Sequence, residues 1–194
     1  MSITRRMQMA SAGVSLLDPE AGLTLTYSNA AGALAAYTST ERSQPVVMAC
    51  EVTFPAVAAD GLLNEFGAGA IGSFVGLRDT GTVLRFRAGD GANPINDTIG
   101  VILDVTPPAD TDTHTLVWEF VPTAPGSVRA WMDGEYLGGV STSGGASLES
   151  GLWTGTAGGA YATSSSGPSG EPTAAWPGTT ESNLRVYINQ TSSL

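Results

Sequence analysis

The sequence predicts an all-β protein made of two packed antiparallel sheets. Three observations carry this. Apolar residues recur with a period of two in about twelve short runs, turn-forming residues separate those runs every eight to twelve positions, and no stretch holds the 3.6-residue period of a helix. The 194 residues suffice for one domain with a substantial core, and 25 Gly with 11 Pro suit a turn-rich β protein.

The most legible stretch runs from Asp112 to Gly139. Leu116, Trp118 and Phe120 alternate with Thr115, Val117 and Glu119, which predicts a strand with one buried face. Pro122, Pro125 and Gly126 then turn the chain. Val128, Ala130 and Met132 fall on one side of the next strand, with Arg129 and Trp131 on the other. Asp133-Gly134 between two extended runs is a hairpin signal, because both central residues of a type I′ turn need positive φ. Glu135 to Val140 forms the returning strand.

The other elements follow in order. Residues 1–12 are expected as an N-terminal arm and 13–194 as a single domain. Residues 13–17 and 23–27 are expected as short strands around Asp18-Pro19-Glu20. Pro45 to Phe54, apolar on both faces at its start, is expected to be central in its sheet. Leu62–Phe66 and Ile71–Arg78 come next, then a turn at Asp79-Thr80-Gly81. In Val83–Ala88, Leu84 and Phe86 face the core, while Val83, Arg85 and Arg87 face away. Thr98–Val105 presents Val101, Leu103 and Val105 on one side. Residues 146–153 are a further candidate strand, 154–180 a long Gly/Ser loop, and Asn183–Ile188 the closing strand.

The totals exclude several functions. Net charge is −10, with eight arginines and no lysine, so nucleic acid and anionic membrane surfaces are unfavourable partners. Charged residues make up 13%, about half the usual share. No run is long enough for a transmembrane helix. Cys50 is the single cysteine and is expected to be a buried apolar residue, so no intrachain disulfide forms; this fits assembly in a reducing cytoplasm. Met7-Gln8-Met9 is too short and polar for the apolar segment of a signal peptide.

DTDTHTLVWEFVPTAPGSVRAWMDGEYLGG resembles the laminin-G-like, concanavalin A-like lectin/glucanase jelly roll. His114 precedes the apolar alternation, Gly126 lies in the turn, and Trp131-Met132-Asp133-Gly134 matches the aromatic-x-Asp-Gly hairpin. DTGTVLRFRAGDG is similar to the family's preceding hairpin, and SNLRVYINQTSSL to its last strand, which pairs back near the first. The resemblance spans roughly residues 14–190 and implies a jelly-roll sandwich. It says little about function.

The family includes endo-glucanases whose active strand carries carboxylates on one face. Retaining hydrolysis needs two of them about 5–5.5 Å apart. No strand here carries acids at i and i+2: Asp110 and Asp112 precede the strand, Glu119 lies beyond the apolar alternation, and Glu51 stands alone. His114, the only histidine, is expected to be structural rather than part of a serine triad. The residues therefore point to a protein that is not an enzyme.

Binding sites are the remaining candidates. Trp153, Tyr161 and Trp176 flank the long loop and offer aromatic faces for stacking on sugars; their alternative role is to pin that loop. Trp131 is a further aromatic candidate, expected in the core. Asp104, Asp110 and Asp112, with Asp90, Asn96 and Asp97, are the candidate oxygen set for a Ca²⁺ ion at the sheet rim, against the alternative that they cap turns. Laminin-G-like domains often carry such an ion. Arg5 and Arg6 head the arm and are candidates for docking onto an acidic partner.

The start TRRMQMASAG, followed by a run rich in Gly, Ala and Ser, resembles those of bacteriophage virion proteins. The expected function is a non-enzymatic structural protein of a phage particle, decorating the head or associated with the tail and displaying a lectin-like domain for host-surface glycan. Its expected partners are other virion proteins, with copies arranged as a symmetric oligomer. A free carbohydrate-binding lectin is the alternative.

Overall fold

The computed structural model describes residues 45–55, 59–66, 73–88, 101–145, 148 and 180–188. The expected strands at 13–17 and 23–27, the arm, the expected strand at 146–153 except Leu148, and the long loop except Thr180 lie outside these. Nine strands are described: β1 (Val46–Thr53), β2 (Gly61–Phe66), β3 (Ser73–Arg78), β4 (Val83–Ala88), β5 (Val101–Val105), β6 (Thr113–Val121), β7 (Ser127–Met132), β8 (Glu135–Ser141) and β9 (Thr180–Ile188). A single 3₁₀ turn, Ser143–Gly145, is the one helical element among the described residues. No helix there is long and apolar enough to cross a membrane.

The strands form two antiparallel sheets, ordered β8-β7-β6-β1-β9 and β2-β3-β4-β5. The all-β sandwich expected from the period-two pattern is the architecture found. β1 lies between β6 and β9, and Val46 to Cys50 have no exposure, as their apolar run on both faces requires. β9 pairs back against β1.

The core lies between the sheets. Val46, Met48, Cys50 and Val52 of β1 meet Leu116, Trp118 and Phe120 of β6 and Val128, Ala130 and Met132 of β7. The four-stranded sheet contributes Leu63, Val75, Leu77, Leu84, Phe86, Ala88, Val101 and Leu103. Phe86 and Trp118 bridge the two layers with ring centroids 6.3 Å apart. Apart from Leu63, which stands at the register shift of β2 between Leu62 and Asn64, each of these residues sits where strand parity places it, with Leu84 and Phe86 inward as expected.

Positive φ occurs where the turns demand it. Asp133 (φ 52°) and Gly134 (φ 89°) make the β7–β8 hairpin turn. Asp79, Thr80 and Gly81 all have positive φ in the β3–β4 turn. For a β-branched residue such as Thr80 this is uncommon. Its N–H donates to Asp60 Oδ1 at 2.8 Å, and its hydroxyl donates to the Asp79 carbonyl at 2.6 Å.

The β6–β7 corner holds Ala124–Pro125 as a cis peptide, followed by Gly126. Leu148, fully buried, packs against Gly126 and donates its N–H to the Pro122 carbonyl at 2.6 Å. The Gly126 carbonyl accepts from the Thr142 N–H at 2.7 Å. A β-carbon on Gly126 would collide with Leu148 Cγ and stand 2.8 Å from its Cδ1. Gly126→Ala is therefore expected to destabilise the domain by about 1–3 kcal/mol through overpacking. In chemical denaturation the midpoint should fall with an unchanged slope.

Candidate functional site: the outer face of the five-stranded sheet and its rim

The face of β6 that turns away from the core does not meet solvent as a simple half-buried strand would. Val117 and Trp131 join Val47 and Ala49 in a second buried apolar cluster, and Glu119 has no exposure at all. The sequence predicts one buried face here; the structure buries both over Leu116–Phe120. Trp131, expected in the core, packs in this second cluster on the opposite side of the sheet.

A buried carboxylate needs a partner, and the register supplies one. Glu119 and Arg129 are directly opposed on β6 and β7. Arg129 Nη2 donates to Glu119 Oε1 at 2.9 Å and lies 2.7 Å from Oε2. The same guanidinium sits 5.8 Å from the centre of the Trp131 ring, within range of a cation–π contact. Trp131 and Tyr136, opposed on β7 and β8, have ring centroids 5.6 Å apart, tilted at 47°.

Tyr136 reaches this face because of a bulge. Ala130 pairs with Gly138, but Trp131 pairs with Tyr136, so one extra residue enters β8. By strict alternation Tyr136 would share the inward parity of Gly138 and Val140. The bulge reverses it, directing Leu137 to the core and Tyr136 outward. Gly138, at φ 146°, has a backbone conformation that other residues rarely adopt.

Gly139 then leaves room for the ring. A β-carbon there would come within 2.6 Å of Tyr136 Oη and 2.9 Å of Arg129 Cγ, so the tyrosine runs over Gly139 towards Arg129. Tyr136 is 59% exposed and is the one exposed large hydrophobic side chain among the described residues. Beside it, Trp131 Nε1 is buried without a hydrogen-bond partner, the one such side-chain atom found among them. An accessible aromatic face, a partly exposed guanidinium and an unsatisfied indole N–H thus lie together on β7 and β8.

At the rim, His114 starts β6 between two carboxylates. Nδ1 is 2.7 Å from Asp133 Oδ2, and Nε2 is 2.8 Å from Asp110 Oδ1. Its ring meets Phe54 edge-on at 5.9 Å. Asp133 Oδ1 also accepts the Thr115 N–H at 2.8 Å, while the Asp133 N–H donates to the Thr115 carbonyl at 2.9 Å. Asp110 Oδ1 accepts the Asp112 N–H at 3.0 Å. This arrangement agrees with the structural role expected for His114.

Of the candidate calcium ligands, Asp104, Asp110 and Asp112 lie among the described residues. Asp104 is a cross-strand partner of Arg85, with its two oxygens each 2.7 Å from a guanidinium nitrogen. Asp110 is occupied by His114, and Asp112 contributes its backbone N–H to Asp110. No three acidic, histidine or cysteine side chains among these residues could together hold a metal. Trp153, Tyr161, Trp176, Arg5, Arg6, Asp90, Asn96 and Asp97 lie outside the described residues.

Tyr136 was not singled out from the sequence. The signal that could have found it is the Gly138-Gly139 pair inside a strand, a mark of a bulge or a close approach.

No family model matches the chain, and neither does any curated protein. Several solved structures resemble it in fold. A leech intramolecular trans-sialidase complexed with 2,7-anhydro-Neu5Ac aligns with TM-score 0.55 and 12% identity, over 79% of this chain and 22% of that one. The binding domain of botulinum neurotoxin DC, in complex with rat synaptotagmin II, aligns with TM-score 0.44 and 7% identity, over 80% and 30%. Botulinum neurotoxin type C, whose cell entry depends on two ganglioside molecules, gives 0.39 and 7%, over 77% and 28%. The chain spans less than a third of the length of each of these three proteins. At 12% identity the likeness to the trans-sialidase is one of fold alone.

Two predictions follow from this geometry. Arg129→Ala leaves the buried Glu119 carboxylate without its guanidinium and is expected to cost about 3 kcal/mol or more, measured by chemical denaturation. The second concerns pH. Burial alone would lower the His114 pKa, but hydrogen bonds and attraction from Asp133 and Asp110 outweigh it, and the pKa is raised above 6.5. The hydrogen bond to His114, aided by the Asp112 N–H, lowers the Asp110 pKa below 3.8. The His114 contribution to stability is therefore complete below pH 6.5 and is lost as pH rises through the raised value. The Asp110 contribution is complete above pH 3.8 and is lost as pH falls through the lowered one. The melting temperature of the wild type should decline as pH rises above 6.5, and His114→Gln should flatten that decline.

Proposed function

We propose that this chain is a non-enzymatic, glycan-binding β-sandwich that presents the Tyr136 platform to a sugar. The observation that carries this is the exposed tyrosine ring lying over Gly139, backed by Trp131 and bordered by Arg129. Aromatic faces stack on the C–H surfaces of pyranose rings, and a few polar groups beside an apolar platform fix the orientation of a ligand. Tyr136 Oη and Arg129 are such groups. The jelly-roll fold is compatible with this use.

Among the described residues, no strand face pairs two carboxylates for acid–base work. Glu119 is occupied by Arg129, and the rim acids Asp110 and Asp133 are occupied by His114. Binding without turnover is the reading that fits this placement.

We further propose that the sandwich is displayed on a bacteriophage particle as a head-decoration or tail-associated protein. The arginine-headed start of the chain, the single cysteine and the low charged content support that setting. Purified particles analysed by mass spectrometry should contain the chain in many copies; its confinement to the soluble fraction would instead favour a free lectin.

The test of binding is a glycan array probed with the wild type and with Tyr136→Ala. Tyr136 is exposed, so its removal should leave the melting temperature within about 2 °C, because surface substitutions of this kind shift stability by under about 0.5 kcal/mol. Array binding should fall about five- to tenfold, as stacking contacts of this type contribute on the order of 1–1.5 kcal/mol. An array with no wild-type hits, or hits indifferent to Tyr136→Ala, would overturn the reading.

A further inference from the structure

We infer that Glu119 sets the charge class of the ligand, making the Tyr136 platform selective for neutral sugars over acidic ones. This inference rests on the platform reading above. Arg129 is the one cation placed at the platform by the described side chains, and an isolated arginine beside an aromatic ring would invite a carboxylate, sulfate or phosphate. It is not isolated. Glu119, with no exposure, lies directly across the strand pair and holds Nη2 with both oxygens.

The geometry makes this neutralisation permanent. Glu119 stands on the central strand β6, between Val47 of β1 and Arg129 of β7, and cannot swing into solvent to release its partner. Arg129 keeps 31% of its side chain exposed, so its remaining N–H groups can still donate to hydroxyl or ring oxygens. Among the described side chains one cation and one carboxylate therefore stand beside the ring as a neutral pair, within a chain of net charge −10. A neutral pyranose meets donors without a charge penalty, whereas an acidic sugar meets a guanidinium whose charge is already balanced, on a chain of negative net charge. Glu119 acts through Arg129, as a positioning residue that does not touch the ligand.

The experiment uses the full chain and an array carrying neutral glucose-, galactose- and mannose-based oligosaccharides together with sialylated, sulfated and uronate-bearing ones. The wild type should bind neutral probes. Their affinity should be unchanged between low and high salt, conditions that vary the Debye length from about 30 Å to about 3 Å. Glu119→Gln keeps the shape of the side chain while releasing the arginine charge. It should raise binding of acidic probes relative to neutral ones by about tenfold, with the gain abolished by high salt.

A wild type that prefers acidic probes, or binds in a salt-sensitive way, overturns the inference. So does a folded Glu119→Gln that binds neutral probes with the original ratio, and in that case the platform reading stands. If Glu119→Gln does not fold, the probe preference and salt response of the wild type still decide the matter. A wild type that binds no glycan removes the platform reading and the inference with it.

Discussion

The structure depends on one antiparallel pairing, that of β1 with β6, in continuous register from Val46 opposite Phe120 to Thr53 opposite Thr113. These two strands lie in the middle of the five-stranded sheet and are covered on both faces through most of their length. Such a position supplies every backbone N–H and C=O with a ladder partner, but it excludes water from the side chains on either side. Polar atoms there must find partners within the protein. Glu119 is the side chain that tests this constraint, and the opposed arginine on β7 is the answer to it. The outer face therefore has a fixed electrostatic arrangement, because the core needs β6 where it is.

The rim shows the same economy with local means. Asp133 tolerates the left-handed conformation that the hairpin requires, accepts the Thr115 N–H, and faces His114. One side chain thus ties the β7–β8 turn to the start of β6. His114 extends the tie to Asp110, ahead of the strand. Both of its ring nitrogens face carboxylate oxygens, and only the imidazolium can donate to both at once.

What was legible in the sequence was parity. Leu116, Trp118 and Phe120, or Leu84 and Phe86, fall on one side of a strand by counting, and the densest apolar set marks the core side. The Asp133-Gly134 turn and the central place of β1 follow from equally local rules. Parity does not say what covers the second face, so Val117 and Trp131 read as outward, and the Glu119–Arg129 pairing depends on a register that no single strand encodes. The same limit applies to Asp104, which reads as a lone carboxylate until β5 is laid beside β4 and Arg85 takes both of its oxygens. Tyr136 escaped because counting back from Val140 puts it inside, and a single inserted residue puts it out.

That inserted residue has another consequence. β8 is the outermost strand of its sheet among those described, and an outermost strand is where a second chain can add itself by backbone pairing. A flat, regular β8 would invite that. Instead its ladder breaks register beside Trp131, and Gly138 turns the backbone to a φ of 146°. A neighbouring chain would find no uninterrupted row of N–H and C=O groups to zip against. The irregularity that presents a tyrosine thus also guards the margin of the sheet, so that where many copies crowd together they are steered away from fusing into one continuous sheet along this side.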